Sequence, residues 1–244
     1  MMRNKYDDDV FFNKYSQMER SLKGLTGAGE WAALKDMLPD FQGKRVLDLG
    51  CGFGWHCVYA AEHGAAKVVG VDISRKMLDE AARKSGGLNI DYIKKPLEEV
   101  DYPADSFDVV LSSLALHYVA SFGAIVEMVH HCLSDGGQFI FSMEHPIFTA
   151  SGPQDWHYDG AGDKLHWPVD RYFEEGPREA VFLGEKVLKY HRTLTTIIRD
   201  LRKAGFEIDD LVEPQPNERM LKLPEMTDEL RRPMMLLIAA RKQA

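Results

Sequence analysis

The sequence contains few cysteines and no pattern that would hold a metal ion. Three cysteines occur among 244 residues, namely Cys51, Cys57 and Cys132. None belongs to a Cys-x-x-Cys pair, and neither a His-Glu-x-x-His motif nor a clustered set of cysteine and histidine is present. These absences disfavour disulfide-stabilised secreted domains and zinc-binding modules. We therefore expect a reduced protein of the cytoplasm that binds no metal ion.

Long apolar runs and an excess of positive charge are missing as well. No stretch reaches the roughly 20 apolar residues that a membrane-spanning helix requires. The first residues lack the basic and then apolar order of a signal peptide. The 30 lysines and arginines are outnumbered by 38 aspartates and glutamates, which gives a net charge of −8. Because nucleic-acid-binding surfaces are normally basic, we expect neither a membrane nor a nucleic acid as partner.

The most informative stretch is a short apolar run that ends in three glycines. Residues Arg45 to Gly54 read RVLDLGCGFG, with Gly50 and Gly52 as the first two glycines. The apolar run predicts a strand. The glycines predict a tight turn, because glycine accepts positive φ angles and has no Cβ to keep a ligand away from the backbone. Residues 55–63 then predict a helix whose free N–H groups face the same turn, so the unit indicates a nucleotide-type binding site.

A second predicted strand ends in a carboxylate that can hold a ribose. Residues 67–71 read KVVGV, Asp72 follows them, and Ser74 is the expected N-cap of the next helix. In dinucleotide-binding folds an acid about 20 residues beyond the glycine turn binds the ribose hydroxyls. The glycines here are spaced G-x-G-x-G instead of G-x-G-x-x-G, and Asp48 lies two residues ahead of the first. A carboxylate in that place suits a cationic ligand better than a pyrophosphate.

The segment DLGCGFG of residues 48–54, together with Asp72, resembles the cofactor site of class I S-adenosylmethionine-dependent methyltransferases, of the type 11-like kind that acts on small molecules. The resemblance implies an α/β fold, with a Rossmann-like, doubly wound, seven-stranded and mostly parallel sheet, helices on both faces and an inserted cap. It implies S-adenosyl-L-methionine as the cofactor and S-adenosyl-L-homocysteine as its product. The resemblance rests on sequence motifs over residues 44–143 and, in the remainder of the chain, only on the order of the predicted elements.

The chain then divides into four predicted regions. They are an N-terminal helical lid of residues 1–44, a Rossmann-like cofactor-binding core of residues 45–145, an aromatic acceptor-binding insertion of residues 146–190, and the C-terminal part of the core sheet, residues 191–244. The insertion shows no sustained period up to about residue 184 and contains Trp156 and Trp167. Long irregular insertions in compact domains are commonly lids or binding loops. An aromatic surface of this kind could also pack on the domain or be covered by a second copy of the chain, which leaves a homodimer open.

The resemblance places the cofactor-binding residues at the carboxyl ends of the first four strands, where ligands of open α/β sheets bind. Adenine recognition departs from the family pattern. Relatives carry an acid soon after the third strand, whereas this chain has Lys-Lys-Pro-Leu at 94–97, so the Leu97 N–H would take over, with Glu98 beside it. The predicted cofactor-binding residues are Tyr15, Asp48, Gly50, Cys51, Gly52, Gly54, Asp72, Ile73, Met77, Leu97, Ser113, Leu114 and His117.

For the reaction we expect in-line transfer of the sulfonium methyl to a nitrogen, oxygen or carbon atom of a small molecule, with alignment as the main source of rate. An amine acceptor needs only to be neutral, whereas a hydroxyl or a carbon acid needs a base. Neutral imidazole is available near pH 7, so His145 is the first candidate base, followed by His191 and His117. Two alternatives stay open: a nicotinamide-dependent oxidoreductase that uses the same glycine turn, and a non-catalytic module that binds S-adenosylmethionine.

Overall fold

The N-terminal region is helical. The computed structural model describes residues 4–216, 218 and 220–243. Helix α1 is capped by the Asp8 carboxylate, which accepts from the Val10 and Phe11 N–H groups. In chain order the elements are a 3₁₀ helix Lys5–Asp7, α1 Asp9–Ser16, α2 Glu19–Lys23, a 3₁₀ helix Gly24–Gly27 and α3 Trp31–Met37.

The next region alternates strands and helices, as the sequence predicts. Its elements are β1 Arg45–Leu49, α4 Trp55–Glu62, β2 Lys67–Asp72, α5 Arg75–Lys84, β3 Ile90–Lys94, β4 Phe107–Ser113, a 3₁₀ helix Leu116–Tyr118, α6 Phe122–Cys132 and β5 Leu133–Glu144. Ser74 caps α5 by accepting from the Met77 N–H. β5 begins at Leu133, which pairs with Phe107 of β4 before a register shift.

The region after β5 is more regular than the sequence predicts. Its elements are α7 Pro146–Ala150, β6 His157–Tyr158, β7 Lys164–His166, β8 Gly176–Phe182 and β9 Glu185–His191. β6 and β7 form one antiparallel hairpin, and β8 and β9 form another. The expectation of an irregular segment up to residue 184 is wrong for β8. This strand has few buried positions, so its pairing with β9 is not visible as a hydrophobic period.

The C-terminal region completes the main sheet. Its elements are α8 Leu194–Lys203, β10 Phe206–Val212, 3₁₀ helices Met220–Lys222 and Pro224–Arg231, and β11 Met235–Lys242. The strand order is β10-β11-β5-β4-β1-β2-β3, and β11 is antiparallel to both of its neighbours. The predicted seven-stranded, mostly parallel sheet is confirmed, and its last two strands, β10 and β11, form an antiparallel pair.

Helices cover both faces of this sheet, which confirms the doubly wound arrangement. Val126 of α6 and Ile197 of α8 belong to the core on one face. Leu34 of α3, Cys57 of α4 and Leu78 of α5 belong to the core on the other. Within the described part of the chain, no helix is long and apolar enough to cross a membrane.

The register of the parallel strands brings the carboxyl ends of three strands to one edge of the sheet. β1 pairs with β2 on one side and with β4 on the other, so that Leu49 lies opposite Val71 and Asp48 lies opposite Leu111. The turn after β1, Asp72 at the end of β2 and Ser113 at the end of β4 therefore meet at the carboxyl edge of the sheet. This is the edge where ligands of open α/β sheets bind.

Candidate functional site

A cavity of about 480 Å³ opens at this carboxyl edge. Its floor comes from the ends of β1, β2 and β4, and its cover comes from the N-terminal region. The cover residues that line it are Asn4, Lys5, Tyr6, Tyr15, Arg20, Ser21, Gly24, Leu25 and Ala28. Its volume lies within the ~300–1,000 Å³ that small-molecule sites usually have. The cavity therefore has the size of a small-molecule site.

The turn between β1 and α4 requires glycine at each of its three glycine positions. Gly50, Gly52 and Gly54 all have positive φ angles, of 75°, 53° and 73°. A Cβ on Gly50 would lie 2.3 Å from the Ala115 Cβ, and one on Gly54 would lie 2.3 Å from the Tyr92 hydroxyl. A Cβ on Gly52 would meet nothing within 4 Å. Gly52 thus presents bare backbone to open space in the cavity, while its two neighbours allow the turn to pack.

Asp72 is tied to the glycine turn by its own carboxylate. Its Oδ2 accepts from the Gly52 N–H at 2.9 Å, and its Oδ1 accepts from the Ser74 N–H at 2.8 Å. Burial raises the pKa of Asp72, and these two backbone N–H groups act in the opposite direction. The carboxylate is therefore fixed in place, lines the cavity and keeps further lone pairs for a ligand.

Ten of the thirteen predicted cofactor residues line the cavity. They are Tyr15, Gly50, Cys51, Gly52, Asp72, Ile73, Met77, Leu97, Ser113 and Leu114. Glu98, named beside Leu97 for adenine, also lines it. Asp48, Gly54 and His117 are not among the lining residues. Gly54 supports the turn from behind, against Tyr92 and Ala81.

Asp48 is fully enclosed below the glycine turn. The residue is 1% exposed, and its Oδ2 accepts from the Cys57 thiol at 3.3 Å. Its Oδ1 has no hydrogen-bond partner within the described part of the chain. Burial raises the pKa of Asp48 to about 7. The side chain therefore carries a proton in the folded protein at mildly acidic pH, when an unfolded chain would have lost it.

This shift gives a testable dependence of stability on pH. Between about pH 4 and pH 7 the folded state binds one proton more than the unfolded state at Asp48, so the free energy of unfolding falls as the pH rises. Asp48→Asn removes this term. We expect its stability advantage over the native protein to grow by about 2 kcal/mol between pH 5 and pH 8. Urea unfolding at both pH values measures it, with the exposed Asp91→Asn as control, and an advantage that does not change with pH would contradict the assignment.

The structure does not bring the three candidate bases to the cavity. His145 caps α7 by accepting from the Ile147 N–H, and its Nε2 lies 2.8 Å from a Glu213 oxygen. His191 is fully buried, with Nδ1 2.8 Å from the Thr149 hydroxyl and Nε2 2.8 Å from a backbone carbonyl oxygen. His117 Nδ1 accepts from the Glu144 N–H. Because both ring nitrogens of His191 have partners, its geometry is that of a structural histidine.

Among the lining residues that the sequence analysis missed, four lie where α2 meets the start of α4. Arg20 and Ser21 belong to α2, and Trp55 and His56 form the first turn of α4. Arg20 pairs with the buried Glu30 carboxylate. The Ser21 hydroxyl and the Trp55 indole N–H are buried without a hydrogen-bond partner among residues 4–216, 218 and 220–243. Nothing in the local sequence marks these residues, because the fold alone brings α2 against the start of α4.

The tryptophans of the insertion do not reach the cavity. Trp167 stacks on Phe148 with ring centroids 4.9 Å apart, and Trp156 meets Trp167 edge-on. The Arg232 guanidinium lies 4.5 Å from the Trp167 ring centroid. From the predicted insertion only residues 186–188 of β9 line the cavity. The described residues contain no group of three or more His, Cys, Asp or Glu side chains that could hold a metal ion.

Comparison with known proteins agrees with this architecture. The sequence model of a methyltransferase domain matches residues 47–141. An uncharacterised protein of Haemophilus influenzae is 36% identical over 99% of both chains.

Two solved structures are more similar still. A protein from Listeria monocytogenes, assigned to the S-adenosylmethionine-dependent methyltransferases, is 59% identical, covers 91% of this chain and all of its own, and superposes with a TM-score of 0.87. An S-adenosylmethionine-dependent methyltransferase from Mesorhizobium loti is 46% identical over 90% of this chain and 100% of its own, with a TM-score of 0.83. Neither the nicotinamide-dependent oxidoreductase nor the non-catalytic binding module finds support in these matches. The chain belongs to the S-adenosylmethionine-dependent methyltransferases, and its cofactor is S-adenosyl-L-methionine.

Proposed function

We propose that this enzyme methylates a small molecule that binds beside the cofactor in the cavity. The proposal rests on one observation, which is that the N-terminal region covers the cavity. Asp7 accepts from the Ser74 hydroxyl at 2.6 Å, the Tyr6 hydroxyl donates to that of Tyr118 at 3.2 Å, and the Lys14 ammonium donates to a backbone oxygen of the β8–β9 turn at 3.0 Å. These contacts close the cavity over the sheet edge, so the region acts as a lid and admits small acceptors.

Each part of the cofactor can be assigned to residues that line the cavity, beginning with the adenosine. We assign the ribose hydroxyls to the fixed carboxylate of Asp72 and the adenine to the backbone of Leu97, with Glu98 at the rim. Ile73 and Met77 border the same end of the cavity and supply apolar contacts. The open backbone at Gly52 accommodates the methionine part, as its missing Cβ leaves the space free.

The lining residues that the sequence analysis missed suit the carboxylate of the methionine part. Arg20 offers a guanidinium with five N–H donors, of which Glu30 takes those of one nitrogen. The Ser21 hydroxyl and the Trp55 indole N–H are donors that the protein itself leaves unused within its described part. Leaving buried polar groups unpaired costs stability, typically about 1–3 kcal/mol each. A bound carboxylate would satisfy all three side chains.

When bound, the cofactor supplies a methyl group on a positively charged sulfur. The chain contributes position: the glycine turn and Asp72 fix one side of the donor, while Ser113 and Leu114 at the end of β4 border the acceptor. Orienting two reactants in this way can supply roughly 7–11 kcal/mol of rate enhancement. We propose that His145, His191 and His117 maintain the structure around the cavity and take no proton from the acceptor.

The proposal is tested with S-adenosylmethionine that carries a radiolabelled methyl group. The purified enzyme is incubated with a cell extract separated by dialysis into a small-molecule fraction and a macromolecular fraction. We expect enzyme-dependent label in the small-molecule fraction. Label that appears only in protein or nucleic acid would contradict the small-molecule assignment. An absence of enzyme-dependent label in both fractions would also contradict the proposal.

A further inference from the structure

Three tyrosines from different parts of the chain line the cavity together. Tyr6 lies in the first 3₁₀ helix, Tyr15 in α1 and Tyr118 in the 3₁₀ helix after β4, and we call them the tyrosine cluster. The Tyr6 and Tyr15 ring centroids are 5.4 Å apart at an interplanar angle of 82°. Those of Tyr6 and Tyr118 are 6.1 Å apart at 87°. Two rings thus stand almost perpendicular to the one between them.

The tyrosine cluster is electron-rich and uncharged. Burial raises the pKa of Tyr6, Tyr15 and Tyr118, so all three remain neutral phenols near neutral pH. The faces of such rings carry partial negative charge and attract cations, and walls of aromatic rings recognise quaternary ammonium groups. The Lys189 ammonium lies 5.9 Å from the Tyr118 ring centroid, but it pairs with the buried Glu144 carboxylate. The Arg20 guanidinium also lines the cavity, and it pairs with the buried Glu30 carboxylate. Because a carboxylate balances each of these two cations, their charges do not oppose a cationic ligand.

The same cavity offers little help to a hydroxyl acceptor. Such an acceptor must lose a proton, and a useful base has a pKa near the working pH. His56 is the one histidine among the described residues that line the cavity, and burial lowers the pKa of its imidazole to about 4. The Asp72 carboxylate is held by two backbone N–H groups. Glu98 is exposed to solvent at the rim of the cavity.

We propose that the acceptor is an amine whose nitrogen lies against the tyrosine cluster, an inference that rests on the proposed function. The nitrogen lone pair forms the new bond to the methyl carbon while the carbon–sulfur bond breaks and its electron pair stays on sulfur. Positive charge moves from sulfur to nitrogen, and the electron-rich rings stabilise it in the transition state and in the ammonium product. A tertiary amine releases no proton, and the ammonium product of a primary or secondary amine passes its proton to water.

The test compares choline with its uncharged carbon analogue, in which carbon replaces the quaternary nitrogen. Calorimetric titrations of both probes use the enzyme saturated with S-adenosylhomocysteine. We expect choline to bind about tenfold more tightly than the neutral analogue. Tyr6→Leu and Tyr118→Leu should each reduce this preference to less than threefold, while Tyr6→Phe, which keeps the ring, should retain it. Tyr158→Leu, at an exposed tyrosine of β6 outside the cavity, is the matched control.

Each outcome of this experiment decides the inference. Equal binding of the two probes to the native enzyme would overturn it, and so would a preference that both leucine variants retain. If the leucine variants instead weaken binding of S-adenosylmethionine but not of choline, the cluster serves the sulfonium of the cofactor, and the amine assignment is wrong. The titration with S-adenosylhomocysteine comes first and reports folding of every variant. Its failure in the native enzyme would count against the proposed function and not against the tyrosine cluster alone.

Discussion

Asp72→Ala should lower the affinity for S-adenosylhomocysteine by at least ~100-fold, because it removes a carboxylate placed to accept two hydrogen bonds from the ribose, and bonds to charged groups contribute about 1.5–3 kcal/mol each. The substitution also releases the Gly52 and Ser74 N–H groups, so the glycine turn loses an anchor. Isothermal titration calorimetry of S-adenosylhomocysteine into the native protein and the variant measures the effect.

Two controls separate binding from folding in this experiment. Asp91→Ala removes a carboxylate that is exposed on the neighbouring strand β3, and we expect native affinity for it. Asp72→Asn keeps the shape and one acceptor oxygen, so it should fall between the native protein and the alanine variant. An affinity of Asp72→Ala within threefold of the native value would show that the ribose lies elsewhere.

Replacement of the Arg20–Glu30 pair by two methionines should remove most of the enzyme's preference for a ligand with a carboxylate, because only the Ser21 and Trp55 donors remain. The double substitution is chosen because removal of Arg20 alone would leave Glu30, which is 2% exposed, as an uncompensated buried charge. In the native enzyme we expect S-adenosylhomocysteine to bind about 30-fold more tightly than its decarboxylated analogue, as a charge-assisted contact of roughly 2 kcal/mol would give. The double variant should prefer the carboxylate ligand by no more than about threefold, as expected for the neutral donors of Ser21 and Trp55 alone.

The comparison of the two ligands is internal to each variant, so a general loss of stability does not imitate the result. Lys23→Met serves as the matched control, because Lys23 lies on the same helix α2 but pairs with the exposed Glu19. It should retain the full preference for the carboxylate. A double variant that still discriminates between the two ligands as the native enzyme does would exclude Arg20 from the carboxylate site.

The core of the fold could be predicted from local pattern. β1 and β2 are short apolar strands. Gly50 follows the first, Asp72 ends the second, and both patterns are set by neighbours in the sequence. The same holds for α8, where apolar residues at helical spacing face the core. β8 could not be predicted, since only one of its seven residues is buried and its pairing with β9 is a contact between strands.

Some residues of the candidate site could likewise be predicted from the sequence, and others could not. Residues that follow a strand, such as Ser113 and Leu114, could be placed from the edge of the sheet at which they occur. Arg20 and Tyr6 could not, because they come from the N-terminal region and reach the cavity only after that region folds over the sheet. The histidines illustrate the opposite error: His145 follows β5 at the carboxyl edge, yet its ring serves the first turn of α7. Position along a strand predicts proximity to a site but not the direction of a side chain.

The most direct test is a crystal structure of the enzyme with bound S-adenosylhomocysteine. It asks whether the cavity between the glycine turn and the N-terminal region holds the cofactor in the assigned direction. We expect both ribose hydroxyls within hydrogen-bond distance of the Asp72 carboxylate and the ligand carboxylate beside Arg20, Ser21 and Trp55. A ligand bound outside this cavity, or bound in it with the ribose away from Asp72, would contradict the account.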